Sequence, residues 1–137
     1  MNPEEILTSL QNPRIKTLVR LRDRRDRDRE GQFVIEGFRE ISRAVEARLP
    51  IEEIFPCPEL DLGSSEAELI ETAKERCGAE VWHVSRDVFQ KVSYRDRPDG
   101  LIARAPKPDW GLGRWDSLLE ENGSDQPQIF IVAQSIE

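Results

Sequence analysis

Gln32-Phe33-Val34-Ile35-Glu36-Gly37-Phe38-Arg39-Glu40-Ile41 is the stretch that decides the architecture. Phe33, Val34 and Ile35 are aromatic or β-branched, and the five residues 32–36 are bounded by glycines, which predicts a short buried strand over 32–36. Phe33 is expected among its core side chains. Gly37 marks the turn out of the strand. Phe38, Ile41, Ala44, Val45 and Arg48 then recur at helical spacing, and this helix must stop before Pro50 because the residue ahead of a proline disfavours helical backbone. A strand running straight into an amphipathic helix is the building unit of an α/β fold.

The pattern repeats towards the C-terminus. Ile51 to Phe55 reads as a second strand. Ser65-Glu66-Ala67-Glu68 fits a capping box, followed by an apolar stripe of Leu69, Ile70, Ala73 and Cys77 that ends at Gly78. Val81-Trp82-His83-Val84 predicts a third strand, and Ser85 can cap a short helix through Val92. Asp99-Gly100 turns into a fourth strand, Leu101 to Ala105. Upstream, Asn12 and Pro13 open a helix as N-cap and first helical residue, with Ile15, Leu18 and Val19 as its apolar stripe. The order is helix, then β-α-β-α-β-α-β. The fold class is α/β, a small α/β/α sandwich on a four-stranded sheet.

Length and composition agree with one domain of this kind. The 137 residues are 37% hydrophobic and 34% charged, which gives about 50 apolar side chains for a core. No window reaches the length of a membrane span, and the first 30 residues lack a signal-peptide core. Cys57 and Cys77 are therefore expected as free thiols in a reducing, cytoplasmic setting. His83 is the lone histidine, so a metal site is not expected.

The net charge of −7 is unevenly spread. Residues 1–48 hold 11 Lys/Arg against 9 Asp/Glu, and the rest hold 9 against 18. Lys16, Arg20 and Arg24 follow at i+4 steps, with Arg14 nearby. They suit either a polyanion contact or a solvated helix face. Arg22 to Glu30 has no apolar residue and reads as a solvated helix end or loop, with i, i+4 ion pairs. Residues 106–128, with three prolines, three glycines, Trp110 and Trp115, read as a linker or wrapping segment. Ile129-Phe130-Ile131-Val132-Ala133 reads as a strand of the doubly buried kind, which needs neighbours that the chain does not provide. The expected division is 1–31 basic helix and loop, 32–105 α/β domain, 106–128 linker, and 129–137 the opening strand of a further domain.

Four pieces in register carry a family resemblance: Ser9-Leu10-Gln11-Asn12-Pro13-Arg14-Ile15-Lys16, Phe33-Val34-Ile35-Glu36-Gly37-Phe38-Arg39-Glu40, Arg97-Pro98-Asp99-Gly100-Leu101-Ile102-Ala103, and the terminal 129–137. Together they resemble the N-terminal substrate-binding domain of SpoU/TrmH RNA 2′-O-ribose methyltransferases. The resemblance implies a fold like that of ribosomal kink-turn binders. It also implies a second, knotted methyltransferase domain that binds S-adenosylmethionine and usually dimerises. That family's motif continues beyond the Ile-Glu pair with Pro, Asn and Gly, and its catalytic Arg and Asn lie further on. No catalytic residue, cofactor site or metal ligand is therefore assigned here.

What remains is positioning of rRNA or tRNA, with no membrane partner. Lys16, Arg20, Arg24 and Arg14 would meet phosphates. In related kink-turn binders the RNA contacts the strand-to-helix junction, which points to Gly37 and Arg39. A helix N-terminus there offers N–H groups suited to phosphate. Glu36 would orient a cation or cap the turn. In the loop 93–100, Tyr94 could stack on an unpaired base while Arg95 and Arg97 grip phosphate. The alternatives are a protein-interaction module, given the acidic 49–137, and a stand-alone kink-turn binder.

Overall fold

The strand–glycine–helix unit forms where the sequence places it: β1 (Gln32–Glu36) runs through Gly37 into α3 (Phe38–Glu46). The computed structural model describes residues 6–60, 62–96, 98–109 and 111–121. Arg97, Trp110 and the 129–133 segment lie outside them, as does the side chain of Trp115. The chain divides into two units, Met1–Lys107 and Pro108–Glu137.

The first unit runs α1 (Pro13–Arg20), α2 (Arg24–Glu30), β1, α3, β2 (Glu53–Pro56), α4 (Ser64–Cys77), β3 (Glu80–Val81), α5 (Arg86–Val92) and β4 (Leu101–Pro106). In the second unit a 3₁₀ turn at Leu112–Arg114 leads into α6 (Trp115–Glu121), so the stretch read as linker contains a helix. Its residues 115–121 hold neither proline nor glycine.

The sheet order is β1-β4-β2-β3, with β4 antiparallel to both neighbours and β2 parallel to β3. Helices cover both faces. Ile41 and Val45 of α3 and Leu69 and Ala73 of α4 cluster with Ile54, Leu101, Ala103 and Ala105. Ile15 and Leu18 of α1 and Val88, Phe89 and Val92 of α5 cluster with Phe55 and Ile102 on the other side. The alternation Ile54/Phe55 and Leu101/Ile102/Ala103 is the strand period of two, distributed over two buried faces.

Several expectations are corrected. β1 is half-buried at all five positions because it sits at the sheet edge, and the buried strands are β2 and β4 in the middle. The third strand shortens to two residues, although Trp82 and Val84 still donate to the carbonyls of Ile54 and Pro56 at 2.9 Å. α4 begins two residues earlier than the capping-box reading, with Gly63 rather than Ser65 as N-cap. The Glu66 carboxylate accepts the Gly63 N–H at 3.0 Å, the return half of a capping box that a glycine can make only on one side. The charged stretch after Arg22 is a separate helix, α2, capped by Asp23 and ended by Gly31 in left-handed conformation. None of its residues is buried, as its lack of apolar side chains predicts.

Both cysteines are free, Cys57 in the core and Cys77 half-buried. Burial pushes the Cys57 thiol pKa up, which keeps it protonated and unreactive. No described helix is long and apolar enough to cross a membrane.

Candidate nucleic-acid interface

Glu36 ends β1 with its side chain towards α5, because even-numbered β1 residues share the face of Val34. Its carboxylate accepts the Ser93 hydroxyl and, at 2.7 Å, the Tyr94 N–H at the C-terminal end of α5. From the same loop, Arg95 donates to the Glu36 carbonyl at 3.0 Å and pairs with Glu40 at 2.7 Å and Asp99 at 3.7 Å. Asp99 accepts the Phe38 N–H at 2.9 Å, and the Gly37 N–H goes to the Leu101 carbonyl at 3.0 Å. The loop after α5 is thus buckled onto the β1–α3 junction, and Gly37, Tyr94 and Arg95 come together although 55 or more positions separate the bonded residues of the two segments.

Gly37 has φ +113°, a backbone region that side chains rarely enter. A Cβ there would lie 2.4 Å from Glu40 Oε2 and 2.8 and 2.9 Å from the guanidinium nitrogens of Arg95. The N–H groups at the start of α3 are not simply open to phosphate. Asp99 takes that of Phe38, and Glu40 bonds its own. That self-bond, then Arg95, holds the Glu40 carboxyl below its ordinary 4.5. The clamp therefore contributes above that pH and loosens as acid protonates Glu40 below it. Arg39, exposed at the second position of α3, makes no ion pair among the described residues.

The basic row on α1 is broken. Leu21 caps α1 after Arg20, and Arg24 opens α2, so Lys16, Arg20 and Arg24 do not share one helix face. Lys16 is exposed, Arg20 pairs with Glu30 at 3.2 Å, and Arg24 pairs loosely with Asp28 at 3.7 Å. Arg14 turns inward. It donates to the buried Glu53 at 2.9 Å and to Glu80 at 3.4 Å, and its guanidinium lies 3.8 Å from the ring centre of Trp82. Arg104, directly opposite Glu53 in the sheet, closes the other side of that carboxylate at 2.7 Å. A polar row therefore crosses the α1 side of the sheet, from Gln32 through Arg104 and Glu53 to Glu80. Spacing alone could not show it, because the row forms across strands.

Arg22 is a residue that the sequence reading did not single out. Its guanidinium lies 4.8 Å from the ring centre of Tyr94, which is 50% exposed, and it donates to the Lys91 carbonyl at 3.2 Å. The only sequence signal was its place in a run of cations.

The sequence model of the MRM3-like substrate binding domain matches residues 12–103. The chain belongs to that family. An RNA 2′-O-ribose methyltransferase of known structure is 38% identical, with a TM-score of 0.69 over 79% of this chain and 40% of its own. The SpoU methyltransferase AviRb from Streptomyces viridochromogenes, also solved with AdoMet, is 26% identical, with a TM-score of 0.61 over 75% and 36%. An rRNA methyltransferase from Sinorhizobium meliloti shares the fold at 21% identity, with a TM-score of 0.59 over 76% and 37%. No curated protein matches. The chain spans about 40% of the length of the first of these structures. The resemblance to SpoU/TrmH enzymes read from the sequence holds.

Within this MRM3-like domain, Arg14 is placed as a brace. Arg14→Ala is expected to lower stability by about 1–2 kcal/mol, through loss of the Trp82 stack and of one partner of Glu53. The urea midpoint reads that loss directly. An unchanged midpoint would return Arg14 to the set of cations available for ligand.

Proposed function

We propose that this chain positions rRNA or tRNA for 2′-O-ribose methylation carried out by a further, knotted domain of the same protein. The observation that carries the reading is the half-exposed Tyr94 under the Arg22 guanidinium, on a loop pinned to the Gly37 junction. An aromatic face beside a cation, on a rigid support, is how unpaired RNA bases are held. Lys16, Arg24 and Arg39 are the exposed cations proposed to meet phosphates, with Arg20 behind them. Gly37 and Arg95 shape the junction, and Arg97 joins the proposed set from outside the described residues.

The proposal includes the likeness to kink-turn binders, residues 129–137 as the start of the knotted domain, dimerisation through that domain and action in the cytoplasm. S-adenosylmethionine supplies the methyl group in such proteins, and no residue of this chain is assigned to it. The family match and the structural neighbours do not favour a protein-interaction module or a stand-alone binder.

Titration of the chain with structured rRNA and tRNA fragments at two salt concentrations tests the reading. Affinity should fall with salt, and Arg39→Ala should flatten the log–log slope by about 0.7–0.9, because one phosphate fewer is neutralised. Its unfolding midpoint should stay put, since Arg39 supports no core contact. Absence of binding at low salt for every fragment would end the RNA reading.

A further inference from the structure

A second feature of the α1–α5 side extends the proposed function. Leu10, Gln11, Lys16, Val19, Arg20 and Lys91 line an open cleft of about 440 Å³, within the roughly 300–1,000 Å³ usual for small-ligand sites. Its floor is apolar: Leu10 is 44% exposed, and Val19 is half-buried beside it. Among the described residues its rim carries three cations and no carboxylate. Gln11 brings an amide donor and acceptor. Arg22 donates to the Lys91 carbonyl and lies over Tyr94, so cation and aromatic surface continue from the cleft to the proposed stacking residue.

We infer that this cleft holds one unpaired nucleobase of the bound RNA, its faces against Leu10 and Val19 and its flanking phosphates on Lys16 and Lys91. The charge argument selects this occupant. An apolar side chain of a partner protein would satisfy the floor but leave Lys16 and Lys91 facing it without anions, whereas a nucleotide brings a flat apolar ring and phosphates together. Gln11 is placed to bond the base edge. Arg20 is the weaker phosphate partner, because Glu30 already holds it at 3.2 Å. The inference rests on the RNA-binding reading above and adds to it a site for a base that spacing in the sequence could not reveal, since Lys91 reaches the cleft only through the packing of α5 on α1.

The test compares a short fluorescein-labelled oligoadenylate with an abasic ribose-phosphate oligomer of the same length, by fluorescence anisotropy on the whole 137-residue chain at low salt. The parent should bind the base-bearing oligomer about tenfold more tightly than the abasic one. Leu10→Ala should erase most of that preference while leaving abasic binding unchanged, and Leu10→Phe should keep it. Lys91→Ala should weaken both oligomers alike. Circular dichroism melts confirm that each variant is folded, which a half-exposed Leu10 and a surface Lys91 make the expected result. Equal binding of the two oligomers by the parent, or a preference untouched by Leu10→Ala, overturns the nucleobase site while the RNA reading stands. Failure of both oligomers and of the structured fragments to bind brings down the RNA reading, and the cleft assignment with it.

Discussion

Phe55→Ala is expected to lower the free energy of unfolding by about 3–5 kcal/mol, the range for deleting a buried aromatic ring whose site cannot collapse. Phe55 is 0% exposed, in the central strand β2, and belongs to the cluster that joins the sheet to α1 and α5. Opposite it in register stands Ile102 of β4, itself 1% exposed. The cavity would open where two helices meet the middle of the sheet, so neither helix can settle into it without breaking its own contacts. Urea denaturation followed by circular dichroism measures the destabilisation, and a shift worth less than about 2 kcal/mol would mean that the helices do collapse onto the sheet. Phe33→Ala should cost less than Phe55→Ala, because Phe33 is half-buried on an edge strand.

Gly37→Val should cost about 3 kcal/mol, the upper end for an L-residue held outside its allowed backbone wells. The penalty comes chiefly from φ +113°, which a β-branched residue cannot adopt without strain. The close approaches add less, since Glu40 Oε2 and the Arg95 guanidinium sit at the ends of flexible side chains and can swing away. Their swing, however, opens the Arg95 pair with Glu40 that ties the loop after α5 to the junction. The expected signature is therefore a lower thermal midpoint together with faster amide exchange at Tyr94 and Arg95, read by hydrogen exchange. Exchange protection unchanged from the parent, with the midpoint still lowered, would show that the loop is held by Glu36 and Asp99 alone.

The two predictions differ in how far the sequence foresaw them. Gly37 stood out in the chain because a glycine between a strand and a helix is a recognisable break. What it does there depended on Arg95 and Asp99 arriving from 58 and 62 positions away, a distance no periodicity spans. Phe55 was legible only as part of a strand. Its place at the centre of the sheet follows from the order β1-β4-β2-β3, and the linear order of strands does not contain that information.

The same division holds for the candidate interface. Lys16 and Arg39 were picked out as cations and are exposed. Arg14, added to the spaced set Lys16, Arg20 and Arg24 as a nearby cation, turns onto Trp82 and Glu53, because the first turn of α1 lies over a polar patch of the sheet. Arg24 sits on a different helix from Lys16 because Asp23 caps a new one. Arg22 and Lys91 gained their interest only from Tyr94 and from the packing of α5 on α1.

By itself the sequence determined the alternation of strands and helices over residues 32–105 and the family to which residues 12–103 belong, because local backbone preferences and side-chain periodicity act over a few residues and are written along the chain. The tertiary structure alone decided which charges became braces and which stayed in water. That choice depends on which surface each side chain meets once the sheet has ordered its strands, and a guanidinium beside a buried carboxylate and an indole gains more from them than from solvent.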